Sequence, residues 1–395
     1  MSSTKRRKNS IVWATQLMLD KEFCRTTPIE ILRHLAKRGH LVKLYATWSK
    51  TRYEGNELDF PVCCVPIREV PIFRPLLFAI ITFFLLPIQS LIEKPSFVLV
   101  TPGALTIPVA IWKPVLARCM RTKFVLIILS TPVEIRGRRG ALQTLFFEIS
   151  VMLAQKAFNG VTILTDSMKE EVSRRFHLDP ARIGVFTDGV SIELFDSARC
   201  ADEAYRMKKE MGLVDKIVVL YHGLFGLDRG IVESVKEMAK LENDDVVLFL
   251  LGNGPALPAI EATVREKNLQ DRVIVHEAVK YTDVPKYIAM SDVGLVPLPN
   301  IPDWLHQNPL NLLECLAMEK PVIVTDIPAN RLVVGSSKCA IYISSPTELR
   351  NAVSYLRDNY RFLKRWGSCG RAIIMDKYTW AKVAERIEKY LATCR

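Results

Sequence analysis

Residues 308–326 read NPLNLLECLAMEKPVIVTD, and their pattern decides the fold. Leu310, Leu313 and Ala317 recur at i, i+3 and i+7, the spacing of one helix face. Pro309 suits the first turn of that helix, where no N–H is required. After Lys320-Pro321 comes the apolar run Val322, Ile323, Val324, which predicts a strand of a parallel sheet, buried on both faces. One carboxylate, Glu314, stands in the helix between Leu313 and Cys315. The helix start at Asn308, Pro309 and Leu310 offers free N–H groups and a positive dipole end, a natural seat for phosphate. A carboxylate about one turn further on can accept hydrogen bonds from sugar hydroxyls. An ordinary helix–turn–strand with a solvated Glu314 is the plainer reading of the same letters.

Outward from this stretch the same alternation recurs. In the second half, strands are expected at residues 217–222, 246–251, 273–275, 293–297, 322–325 and 340–343, with helices at 231–241 and up to 267. In the first half, strands are expected at 11–14, 41–46, 97–101, 124–129 and 161–165. Thr27 with Glu30, and Asp166-Ser167 with Glu170, read as capping boxes that start two helices. Strands alternating with helices predict parallel sheets covered on both faces. The polar stretch 196–210 suggests the boundary: an N-terminal domain over 1–197, a C-terminal domain over 198–377, and a last amphipathic helix within 378–395 packing back near the first domain.

The chain has 395 residues, enough for two domains, and its 49% hydrophobic content excludes a disordered protein. A net charge of +12 implies an anionic partner. Basic residues cluster at Lys5-Arg6-Arg7-Lys8, at Lys113, Arg118, Arg121 and Lys123, and at Arg136, Arg138 and Arg139. No nucleic-acid motif accompanies them, so an anionic membrane surface or a nucleotide diphosphate is the expected partner, and no nucleic acid. Nine cysteines without a C-x-x-C pair or a Cys/His zinc spacing imply a reducing compartment and no structural metal. The N-terminal apolar run is too short for a signal peptide. Serine-hydrolase, P-loop and zinc-protease signatures are absent.

Residues 75–92, PLLFAIITFFLLPIQSLI, carry no charge. Three readings stand: a membrane span, a buried core helix, or a helix lying in the membrane interface. A span would put residues 11–46 and the chain from 97 onward on opposite sides of a bilayer, although both supply strands to one expected sheet.

Five segments resemble glycosyltransferase family 4, the large retaining group with the GT-B fold, and stand in the same order along the chain. Residues 308–326 are similar to its "SPLKLLEALAxGKPVIATD". Residues 218–230, VVLYHGLFGLDRG, resemble "vvlyvGRLxxxKG"; residues 250–255, LLGNGP, resemble "lvGdGp"; residues 277–297 resemble "GfVpxxdlpxyyaaaDvgllP". Residues 187–195, TDGVSIELF, resemble the "NGVDxxxF" turn before the interdomain link. The resemblance implies an α/β GT-B fold, two Rossmann-like doubly wound parallel-sheet domains facing a cleft. It implies a hexosyltransferase-type enzyme, metal-independent and without cofactor, moving a sugar from a nucleotide diphosphate sugar to a lipid-linked or membrane-associated glycan at the cytoplasmic face of a membrane. Arg229, in the place of the family's phosphate-binding Lys, is expected to stabilise the diphosphate together with Gly223, Gly226, Gly252 and the helix start at Asn308, Pro309 and Leu310. Backbone near Val279 is expected at the nucleotide base, Glu314 at donor hydroxyls, and His306 at the transferred sugar.

Departures accompany the resemblance. Leu224 replaces the family's companion Arg, His306 stands where many members carry a first Glu, and the loop at 15–26 lacks the usual glycine pair. Two rival readings follow: a GT-B scaffold that has lost catalysis, and a GT-B nucleotide-sugar epimerase.

Overall fold

The computed structural model describes residues 9–19, 26–48, 58–67, 73–132, 138–241 and 245–394. They form two compact units, Met1–Asp188 with Trp380–Arg395, and Gly189–Thr379.

The first unit is built on seven parallel strands: β1 (Ser10–Met18), β2 (Leu41–Trp48), β3 (Val62–Pro66), β4 (Phe97–Val100), β5 (Lys123–Ile128), β6 (Gly160–Ile163) and β7 (Ile183–Val185). Their order is β3-β2-β1-β4-β5-β6-β7. One sheet face is covered by the helix Thr26–Lys37 and the final helix Trp380–Thr393, with Trp13, Ile31, Leu35, Trp380 and Ile387 in the core between. Helices Phe73–Glu93, Thr106–Met120 and Arg138–Ala157 cover the other face through Phe78, Leu86, Val109, Leu116, Phe147 and Val151. Central strands buried on both faces explain why their sequences are continuous apolar runs.

The second unit holds β8 (Ile217–Leu224), β9 (Val246–Asn253), β10 (Val273–His276), β11 (Val293–Val296), β12 (Val322–Thr325) and β13 (Ala340–Ile343), in the order β10-β9-β8-β11-β12-β13. All its ladders are parallel. The strand order runs outward from the first strand in one direction and then reverses, as in a dinucleotide-binding sheet.

Several expectations are corrected. The polar stretch after residue 196 was expected to mark the boundary, but the second unit begins at Gly189 and contains it. The stretch forms a helix, Ser197–Glu210, capped by Asp196, that buries Ala204 within the second unit and ties Lys208 to Asp292 at 2.8 Å. Thr27 lies inside its helix, and its hydroxyl donates to Asp188 at 2.8 Å, while Glu30 pairs with Arg33. The second capping residue is Thr165, whose hydroxyl accepts from the Met168 amide at 3.1 Å. The core-helix reading of residues 75–92 fails: in helix Phe73–Glu93 only 22% of the apolar window is buried. A span fails too, because β1 pairs with both β2 and β4, which flank that helix in sequence. The cluster at Lys5–Lys8, residue Arg136 and part of the loop at 15–26 lie outside the described residues.

Candidate functional site

The second sheet reverses its order between β8 and β11. In open α/β sheets, ligands bind outside the carboxyl ends of the strands at such a point. The loops that leave β8 and β11 carry most of the expected site residues.

β8 ends at His222, Gly223 and Leu224, and the chain then runs through Gly226 and Arg229 to Gly230 and the helix Ile231–Met238. Gly230 has φ +71, and a Cβ there would meet the Pro297 carbonyl oxygen at 2.2 Å. Only glycine lets this turn close against the end of β11. Gly252, next to last in β9, pairs beside Gly223, and a Cβ on it would lie 1.9 Å from the Gly223 oxygen. The loops after β8 and β9 therefore pack backbone to backbone, as close approach to a ligand also demands.

Arg229 is half-buried, with its guanidinium 4.6 Å from the centre of the Trp304 ring. Trp304 comes from the loop after β11, is 3% exposed, and donates its Nε1–H to the Asp228 carbonyl at 2.7 Å. The two loops are thus pinned together, and the cation–π contact holds the Arg229 plane in a fixed orientation. Sequence reasoning missed Trp304.

The helix Leu310–Ala317 has Pro309 at its N-cap position rather than in its first turn, a start one residue later than expected, and the Pro309 side chain cannot cap it. Asn311 accepts from the Leu312 amide at 3.0 Å. Immediately before, Asn308 is 7% exposed, and neither its Oδ1 nor its Nδ2 has a hydrogen-bond partner among the described residues. An amide buried without partners costs about 1–3 kcal/mol for each unpaired group. His306 and Val279 are half-buried; Val279 precedes the short turn Tyr281–Asp283.

Glu314 is not solvated, contrary to the plainer reading of its sequence. Its side chain is 7% exposed, and its two oxygens engage different partners: Oε2 lies 2.8 Å from His222 Nε2, and Oε1 accepts from the Tyr281 hydroxyl at 2.9 Å. Burial alone pushes the His222 pKa down, but Cys315 and Glu314 outweigh it, and the pKa is pushed up to about 10. The imidazole is therefore protonated at neutral pH. A carboxylate offers about four lone-pair sites, so two remain for a ligand. Neither His222 nor Tyr281 was read from the sequence as a site residue. The signal was present for His222, a polar residue closing the apolar run VVLY.

Leu224 is half-buried and adds no charge; its carbonyl accepts from Tyr221 at 2.7 Å. Arg229 is thus the expected cation that the structure places on this loop.

Residues 206–373 match the family model described as glycosyl transferases group 1. The chain is 25% identical over 231 residues to alpha-D-kanosaminyltransferase of Streptomyces kanamyceticus, a stretch that covers 58% of each protein, so the chain spans little more than half of that relative. Among solved structures, the Anabaena protein HepE in complex with UDP and glucose superimposes with a TM-score of 0.75 at 14% identity, over 98% of this chain and 100% of that one. WaaG, a glycosyltransferase involved in lipopolysaccharide biosynthesis, gives 0.72 at 15% identity, over 97% and 100%. At such identities the likeness is one of fold: two Rossmann-like parallel-sheet units of the GT-B type, the second carrying the glycosyl transferase group 1 pattern.

Proposed function

We propose that this chain is a retaining glycosyltransferase of the family 4 kind, taking a hexose from a nucleotide diphosphate sugar held by its second unit. The observation that carries the proposal is the unpartnered Asn308 amide at the start of the helix Leu310–Ala317, on the loop that also brings Trp304 to Arg229. Three features suited to an anionic, hydroxyl-rich ligand converge there: a cation, a helix N-terminus and an amide lacking partners. A relative in structure, HepE, is described with UDP and glucose, which favours UDP as the nucleotide.

Transfer breaks the bond between the anomeric carbon and the diphosphate oxygen and forms one to the acceptor oxygen, whose proton passes to the departing diphosphate. Negative charge grows on the leaving diphosphate, and positive charge on the sugar. Arg229 and the helix dipole at Pro309-Leu310 answer the first without a metal ion. Glu314, oriented by His222 and Tyr281, has lone pairs left for the ribose hydroxyls. His306 reaches the transferred sugar, and backbone near Val279 meets the base. The acceptor on this reading is a lipid-linked or membrane-associated glycan, met by the first unit at the cytoplasmic face of a membrane. The naming of WaaG with lipopolysaccharide biosynthesis supports an acceptor of that class.

A thermal-shift screen against UDP-, GDP-, ADP- and CDP-sugars tests the donor, because a ligand bound only by the folded state raises the melting temperature. No shift with any of them removes the proposal. Leu224 favours a second reading, a donor-binding protein without catalysis. A shift without donor hydrolysis or transfer would establish that reading instead.

A further inference from the structure

The layer of helices over the first sheet has an apolar outer side. Helix Phe73–Glu93 turns Phe78 and Leu86 inward and leaves Ile80, Phe84 and Ile88 between 56% and 64% exposed. The helix Thr106–Met120 packs beside it, with the Phe83 and Trp112 rings 5.5 Å apart and Trp112 Nε1–H donating to the Phe83 carbonyl at 2.8 Å. It leaves Ile111 57% and Val115 49% exposed. Two adjacent helices thus present apolar side chains to solvent, and exposed patches larger than a few hundred Å² mark interaction sites.

Charge identifies the occupant. Between residues 73 and 123 the sequence holds one carboxylate, Glu93, and it is already engaged by Lys43 and by the Tyr45 hydroxyl, at 3.0 Å from the latter. The rim of the apolar face carries cations: Lys94, Arg118 and Arg121 are exposed and Lys113 is half-buried. A second copy docked on this face would set these cations near their own counterparts. An anionic surface of fluid hydrocarbon matches both the charge and the apolar content. We propose that the outer sides of helices Phe73–Glu93 and Thr106–Met120 together dock in the interface of an anionic lipid bilayer, lying in its plane. The two-helix face deepens the transferase reading, on whose membrane-held acceptor it rests for its purpose, by naming the surface that meets that membrane.

Sedimentation of the whole protein with phosphatidylcholine vesicles, with and without phosphatidylglycerol, tests the proposal. Binding to the anionic vesicles is expected at low salt; high salt weakens it by screening and leaves a salt-resistant remainder from apolar insertion. Arg118→Gln and Arg121→Gln each lower anionic-vesicle binding about fivefold. The double variant Phe84→Ser/Ile111→Ser lowers it by about tenfold or more, from the apolar area withheld. Both side chains are exposed, so its melting temperature stays at the parent value. Protein left in the supernatant with both vesicle types overturns the proposal, as does a double variant that sediments like the parent. A dimer seen by light scattering and dissolved by Phe84→Ser, with no vesicle binding, assigns the face to a second copy and also overturns it. Nucleotide-sugar binding, followed by calorimetry in the same samples without vesicles, reports on the transferase reading separately, so either idea can fail alone.

Discussion

Replacing Glu314 with Ala tests how the buried pair at the end of β8 is held. The Glu314 and His222 side chains are 7% and 6% exposed and 2.8 Å apart, and Tyr281 adds a bond of 2.9 Å. Removing one partner leaves a cation buried without its counterion, which costs about 3–5 kcal/mol. Glu314→Gln keeps the volume and can still accept from Tyr281, so its cost drops to about 1.5–3 kcal/mol, the usual worth of a hydrogen bond to a charged group. The pH dependence separates this account from simple loss of packing. Folding raises the His222 pKa from 6.5 to about 10, so the unfolded chain binds fewer protons than the folded one between those values. The contribution of the pair is complete below about pH 6.5 and is lost as the pH rises through about 10. In Glu314→Gln the imidazole lacks the carboxylate, one of the two groups that outweigh burial, so this loss is smaller. Urea denaturation of parent and variants at several pH values measures the difference, which is expected to shrink as pH rises from neutrality toward 10. A Glu314→Ala cost below about 1 kcal/mol, or a difference that stays flat with pH, would refute a buried, protonated His222.

Arg229→Ala is expected to weaken binding of the matching nucleoside diphosphate by about 1.5–3 kcal/mol, the loss of one charge-assisted phosphate contact; equal affinities in calorimetry remove Arg229 from the site. Asn308→Leu abolishes an amide that has no hydrogen-bond partner among the described residues, so stability holds or rises by about 1 kcal/mol while nucleotide-sugar affinity falls. A variant that loses stability and keeps affinity would make Asn308 structural. Gly230→Ala sets a Cβ against the Pro297 oxygen at a positive φ, and a stability loss of about 1–3 kcal/mol in denaturant melts is expected; an unchanged midpoint contradicts the close approach of the β8 and β11 loops.

The parallel sheets were legible because their central strands are buried on both faces, and runs such as Val322 to Val324 advertise that burial in every residue. Strand β3 was not, because VCCVP is a half-exposed strand at the sheet edge and lacks both a continuous apolar run and a clean alternation. The capping boxes were misplaced for a local reason: several Ser, Thr and Asp residues near a helix start can each serve, and tertiary contacts choose among them, as Asp188 does by drawing the Thr27 hydroxyl. The site divides along the same line. Glu314 and the helix start at Asn308 could be named from the helix pattern, and Arg229 because its segment resembles the family's phosphate-binding loop. The partners Trp304, His222 and Tyr281 come from other elements of the same unit, and sequence spacing carries no information about which elements meet. What the structure adds is therefore the orientation of each group. A solvated glutamate and an exposed arginine would each lose side-chain freedom on binding a donor. Here His222 with Tyr281 holds the glutamate, and Trp304 holds the arginine, so much of that ordering cost is already met in folding.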